Sequence, residues 1–250
     1  MIKHFLWFAA WVATPVIAAE VAATLQWSQR VELGAAASGI VQNVTVQVGD
    51  RVRKGQSLVS LDASAFAAQV AEAQAAVAQA EEEEKDAKRN LDRVQELYNR
   101  TVIAATELEA AQLRHVRARA QLEAARARLA AARKQLGDAA VRAPFDGVVL
   151  ARLVEPGQVV ASTLKPEPLI VLARAGEMVA RGMAPLALAR RLKAGQAAEV
   201  EVEGTRYSGR IRTVGLEPGG SKGEYPVEVV FAVKETLPAG LPALIRLSQN

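Results

Sequence analysis

Ser38-Gly39-Ile40-Val41, followed by Val48-Gly49-Asp50-Arg51-Val52, is written a second time as Asp146-Gly147-Val148-Val149, followed by Pro156-Gly157-Gln158-Val159-Val160. In both copies a short polar residue precedes a glycine and β-branched residues follow it. A second glycine stands ten positions later, and a valine three beyond that. Apolar and polar residues alternate between the glycines. Val44, Val46 and Val48 share one face, Leu58 to Leu61 form a second run, and Val148 to Leu153 and Leu169 to Leu172 repeat the design. Such runs predict short antiparallel strands. Neither copy makes a sandwich alone, so the two are expected to close on each other, with Gly39, Gly49, Gly55, Gly147 and Gly157 at the turns.

Between the copies, residues 64 to 138 carry an apolar heptad and no proline. One seam runs Phe66, Val70, Ala73, Val77, Ala80, Glu84, Ala87, Leu91, Val94, Tyr98. The next runs Leu108, Ala111, His115, Ala118, Leu122, Ala125, Leu129, Ala132, Leu136. This 4-3 spacing marks two coiled-coil helices. Folded near residues 99 to 106, they register antiparallel, with Tyr98 against Leu108, Val94 against Ala111, Leu91 against His115 and Glu84 against Leu122. Each arm is then roughly 50 Å long, which serves reach rather than packing.

The first arm is acid-rich (Glu72, Glu81 to Glu84, Asp86, Asp92, Glu96) and the second base-rich (Arg114, Arg117, Arg119, Arg126, Arg128, Arg133, Lys134). Opposite signs along the seam edges favour an internally paired face over a nucleic-acid surface. At the fold-back, Val102 and Ile103 have no seam partners, which makes the tip a candidate docking point if the two do not simply close the turn.

The chain has 250 residues, a formal charge of +4, two histidines and no cysteine. That excludes disulfides, thiolate metal sites and a cysteine-borne lipid anchor. His4 and His115 are far apart, three methionines do not make a Met-rich metal site, and no catalytic, phosphate-binding or cofactor motif is present. Residues 5 to 17 form an apolar run of thirteen, with small residues after it. A spanning helix needs about 20 residues, so residues 1 to 19 are expected to be a signal peptide cleaved after Ala18 or Ala19. The alternative is an uncleaved membrane anchor.

Ala37-Ser38-Gly39-Ile40-Val41, Val48 to Gln56, Leu61-Asp62, Val141-Arg142-Ala143-Pro144-Phe145-Asp146-Gly147-Val148-Val149 and Pro156 to Val160 give the chain a resemblance to the membrane-fusion proteins, the periplasmic adaptors of tripartite efflux pumps. The resemblance covers residues 35 to about 247. It implies an elongated α+β fold in which a coiled-coil hairpin is inserted in a lipoyl-like β-sandwich without lipoate, followed by a small β-barrel. The implied division is signal peptide 1–19, N-terminal strand segment 20–34, first lipoyl half 35–63, hairpin 64–138, second half 139–173 and barrel 174–250. A membrane-proximal domain is expected to be absent or vestigial. Adaptors that meet a TolC-type channel show Arg, Leu four on, and Ser seven further. Arg93 and Leu97 match and Ala104 departs, so the implied docking set is Arg93, Leu97, Arg100, Val102, Ile103 and Ala104.

The function implied is that of a non-enzymatic periplasmic adaptor, peripheral to the inner membrane, exporting small molecules. Its implied partners are an inner-membrane transporter and a TolC-type outer-membrane channel, with no nucleic acid and no cofactor. The hairpin length favours a resistance-nodulation-division transporter over an ATP-driven one, in a homo-oligomer of three or six copies. Two other readings stand beside it: a lipoyl/biotinyl carrier of a multienzyme complex, weakened by the insertion at the carrier turn, and a free periplasmic coiled-coil scaffold.

Overall fold

The computed structural model describes residues 19–162, 167–219 and 223–247. All of the expected signal segment but Ala19 lies outside the described residues. In chain order the elements are β1 (Ala19–Trp27), β2 (Arg30–Leu33), β3 (Gly39–Val44), β4 (Arg51–Val52), β5 (Ser57–Leu61), α1 (Ser64–Asn99), α2 (Ala105–Asp138), β6 (Ala140–Arg142) and β7 (Gly147–Arg152). There follow β8 (Val159–Val160), β9 (Ile170–Arg174), β10 (Glu177–Ala184), α3 (Leu186–Ala189), β11 (Ala197–Val202), β12 (Thr205–Val214), β13 (Tyr225–Ala232) and β14 (Pro242–Leu247). They form two compact units, one of residues Val31–Leu172 and one of β1 together with the chain from Ala173 onward.

In the first unit, two four-stranded sheets, ordered β2-β9-β7-β4 and β6-β5-β3-β8, each draw strands from both sequence copies. The sequence repeat becomes a set of reciprocal hydrogen bonds. The Gly49 N–H donates to the Val149 carbonyl at 2.9 Å, and the Gly157 N–H donates to the Val41 carbonyl at 2.7 Å. The Val149 N–H returns to Asp50 and the Val41 N–H to Gln158. The short polar residues before the first glycines act alike: Asp146 Oδ1 accepts from the Lys54 N–H at 2.7 Å, and Ser38 Oγ from the Ser162 N–H at 2.8 Å. Each copy thus satisfies backbone groups of the other, which is why neither is complete alone.

Gly49, Gly55 and Gly157 have φ of 93°, 83° and 88°, the left-handed region required at the third position of a type II turn. The residue after each closes the turn with its side chain. Asp50, Gln56 and Gln158 accept from the backbone N–H of Gln47, Arg53 and Glu155, and the same device recurs in the second unit at Lys193–Gln196. Gly39 and Gly147, expected in turns, instead open strands β3 and β7, where they pair with Val160 and Val52. A Cβ on Gly39 would meet Leu61 at an ordinary 3.6 Å. The core between the sheets holds Val41, Leu58, Leu61, Val149, Ile170 and Leu172, all 1% exposed or less. Burying side chains of this size stabilises by about 1.5–3 kcal/mol each.

The seam residues of α2 are all buried or half-buried, with Ala111, Ala118, Leu122, Ala125 and Ala132 the deepest. On α1 the seam holds from Phe66 to Val94, but Tyr98 is 40% exposed and leaves it. There α1 has one residue left, and Leu97 turns inward in its place. Leu122 packs with Val77, Ala80 and Ala125. The two polar seam members, expected opposite Leu122 and Leu91, find each other: Glu84 Oε1 lies 2.9 Å from His115 Nε2.

The second unit is a closed barrel, β1-β10-β13-β12-β11-β14. Its sixth strand is β1, which comes from the N-terminal strand segment and not from the expected barrel range 174–250. Val21, Ala23 and Leu25 alternate inward and complete the core, while β2 from the same segment joins the sandwich.

Candidate functional site at the hairpin tip

Helices of 36 and 34 residues carry the tip about 50 Å from the root of the hairpin. The root is fixed. Phe66 packs on the sandwich core, the Leu61 N–H donates to the Ala139 carbonyl at 2.8 Å, and Asp62 Oδ1 accepts from the Ser64 N–H at 2.9 Å. Those hydrogen bonds, from the Ser64 backbone first and its side chain second, hold the Asp62 carboxyl below its ordinary pKa.

At the far end α1 stops in a Schellman motif. The Val102 N–H reaches the Leu97 carbonyl at 3.1 Å and the Thr101 N–H the Tyr98 carbonyl at 2.9 Å. The left-handed position of that motif usually belongs to glycine. Here Thr101 holds it at φ 60°, a strained state for a β-branched residue. Helix α2 then starts from Ala104, whose backbone is extended (φ −77°, ψ 152°) with no side-chain cap. Neither helix end at the tip therefore carries the residue that stabilises it best.

The predicted docking residues fall as follows. Arg93 is exposed on α1 and donates to Asn90 Oδ1 at 2.7 Å. Leu97 is half-buried, its carbonyl part of the helix stop. Arg100 is exposed at the C-cap, Val102 is 65% exposed, Ile103 is half-buried, and Ala104 is the exposed N-cap of α2. Arg93 and Asn90 also line a groove of about 850 Å³ between the helices, with Arg114 and Arg117 across from them and Glu82, Glu83 and Asp86 further toward the root. From the sequence, Arg114 and Arg117 belong only to a general basic face of the second arm. The expected register does not set their place in the groove, because the helices pair at Glu84–His115 and at Leu122 with Val77 and Ala80, offset from the expected Glu84–Leu122 and Leu91–His115 pairs.

The expected charge pairing between arms is sparse. Lys85 with Glu82, Arg89 with Asp86 and Lys88 with Asp92 pair within α1. The hydrogen bond and charge of Lys85 hold the Glu82 carboxyl below its usual range. Arg126 with Glu81 crosses between helices at 3.1 Å, beside the Glu84–His115 contact. Arg114, Arg117, Arg119, Arg128 and Arg133 form no ion pair among the described residues. Lys85, Lys88 and Arg89 take Glu82, Asp92 and Asp86 within α1, and such neighbours three or four residues away on one helix compete with the second arm for these acids. The groove thus presents guanidinium donors that can fork onto carboxylates or carbonyls of another chain.

The family model of the CzcB-like, barrel-sandwich hybrid domain matches residues 29–165. Among solved structures, the chain is similar to the membrane fusion protein Spr0693 from Streptococcus pneumoniae R6, with a TM-score of 0.71 and 18% identity over 93% of this chain and 100% of that one. A MacA-MexA chimeric protein containing the Pseudomonas aeruginosa MexA α-hairpin domain matches at a TM-score of 0.64 and 21% identity, over 92% and 80%. ZneB from Cupriavidus metallidurans matches at 0.50 and 25%, over 93% and 98%. No curated protein sequence matches the chain.

Proposed function

The chain belongs to the CzcB-like barrel-sandwich hybrid family, and from that premise we propose that it is a non-catalytic adaptor linking an inner-membrane transporter to a TolC-type outer-membrane channel for export of small molecules. The observation that carries this reading is the hairpin. A sandwich whose two halves complete each other has no structural need of helices of 36 and 34 residues between them. Their length serves a contact at the tip, where Arg93, Leu97, Arg100, Val102, Ile103 and Ala104 gather. The fold of a membrane fusion protein and of a chimera carrying an adaptor-type hairpin supports it. The chain acts outside the cytoplasm after cleavage at Ala18 or Ala19, which N-terminal sequencing of mature protein checks. It works as a trimer or hexamer with a resistance-nodulation-division transporter. The test is cross-linking in intact cells from Val102→Cys and Ile103→Cys. Adducts to an outer-membrane channel support the reading, and their absence alongside normal efflux defeats it.

A further inference from the structure

One end of the barrel collects an unusual surface. Ala19 pairs with Leu247, Ala184 with Tyr225, Val214 with Val227 and Ala197 with Arg210. The first residue of β1, the β10–β11 connection and the β12–β13 connection therefore share that end. The β10–β11 connection, Pro185 to Gln196, contains Arg190, Arg191 and Lys193 and no carboxylate. All three cations are exposed, as is Arg210 on β12 beside them, and none of the four has an ion-pair partner among the described residues. Two leucines stand out at the same end: Leu216 is 95% exposed and Leu186 41%. The carboxylates nearby are Glu20, bonded to Arg246 at 3.1 Å, and Glu217 and Glu224 on the β12–β13 side.

We propose that this barrel end binds an anionic bilayer surface, with Arg190, Arg191 and Lys193 on lipid phosphates and Leu216 inserted at the boundary between headgroups and acyl chains. Free cations beside exposed apolar side chains are the pattern of an interfacial membrane contact. Leu216 projects almost wholly into solvent from the start of the β12–β13 connection, where an apolar side chain can enter the interfacial layer of a bilayer. The chain's own course points the same way. The apolar run Phe5 to Ile17 immediately precedes β1, so this end is the part of the barrel next to the bilayer as the chain emerges, whether or not the run is later removed. The inference rests on the adaptor reading and supplies its inner-membrane contact.

The test is co-sedimentation of mature protein from periplasmic extract with vesicles of phosphatidylcholine alone or mixed with phosphatidylglycerol, with no channel or transporter present. Failure here therefore leaves the tip reading standing. Binding is expected to require phosphatidylglycerol and to fall with salt. A basic residue near an anionic surface contributes about 1 kcal/mol, or roughly fivefold in partitioning, so Arg190→Gln/Arg191→Gln/Lys193→Gln should weaken binding roughly 100-fold. Leu216→Asp should weaken it as well, and Arg190→Lys/Arg191→Lys should retain it; unchanged melting temperatures establish that the variants fold. Equal binding to both vesicle types, no binding, full binding by the glutamine variant, or recruitment seen only with a transporter present overturns the proposal, the last in favour of a protein partner.

Discussion

Glu84 Oε1 and His115 Nε2 meet at 2.9 Å between α1 and α2, each side chain 21% exposed. They are the polar interruptions of two otherwise apolar seams, and each supplies the other's hydrogen-bond partner. A half-buried polar group left unpaired costs more than the same position made apolar. Glu84→Leu or His115→Leu alone should therefore lower hairpin stability by about 1–2 kcal/mol. The double leucine variant should recover that loss or exceed wild type. A double-mutant cycle on thermal melting, followed by circular dichroism, reads the coupling; strictly additive losses would show that the contact is not formed.

Leu122 and Leu91 both sit in the seam but differ in depth: Leu122 is buried and Leu91 half-buried. Leu122→Ala should cost toward the low end of the about 2–5 kcal/mol seen for buried leucines, and Leu91→Ala clearly less. Equal melting temperatures for the two variants would contradict this packing.

Ala104→Ser places a hydroxyl at the N-cap with Glu107 three residues on, which completes a capping box. It should stabilise the hairpin by about 1 kcal/mol. Thr101→Gly relieves the left-handed threonine and should add a similar amount, about 1 kcal/mol. Both are checked by melting. If Ala104→Ser also strengthens channel binding, comparison with Thr101→Gly separates a hydroxyl contact from simple stiffening of the tip.

Arg93→Asp should abolish efflux, scored by drug susceptibility, while changing stability by about 0.5 kcal/mol or less, since the side chain is exposed. Leu97→Asp should also abolish it, but with a loss of stability, because the Leu97 side chain is half-buried and a charge there must be desolvated. Arg114→Glu, across the groove from Arg93, should weaken efflux without affecting expression. Wild-type susceptibility in all three removes the tip from the function.

Asp62 is held below its ordinary pKa by the Ser64 N–H at the start of α1. A carboxyl whose folded pKa is depressed contributes stability above its unfolded pKa of about 3.9 and loses it as pH falls through the folded value. Asp62→Ala should therefore lower the melting temperature at neutral pH, and the difference from wild type should close as pH falls through the depressed folded pKa of Asp62. A gap independent of pH would mean that the Asp62–Ser64 hydrogen bond does not form.

What could be read in the sequence follows from how local each signal is. The seam was legible because a 4-3 repeat over more than four heptads has one helical reading. The two-half sandwich was legible because the spacing of Ser38-Gly39 and Asp146-Gly147 to their second glycines is copied in the chain. Gly39 and Gly147 were misplaced because a glycine in a strand and one in a turn look alike until φ is known. Barrel membership of Ala19–Trp27 depends on pairing with residues more than 150 positions away, which no local pattern encodes. The strained Thr101 was hidden because the tip contains no glycine to mark where the helix reverses.

The reciprocal bonds between Gly49 and Val149 and between Gly157 and Val41 also govern when the molecule can fold. Neither half of the sandwich can complete these bonds before the other has been made, so the first half must wait with its strand edges open. The hairpin shortens that wait. Helices form fast and from local contacts, and once α1 and α2 zip together, Ser60 and Ala140 are held at adjacent positions of one ladder. The entropy of closing a loop of that length is then met by seam burial rather than by chance encounter. Variants that loosen the seam should therefore slow refolding of the sandwich itself, and lengthen the interval in which its unpaired strands are open to proteolysis or to pairing with another copy.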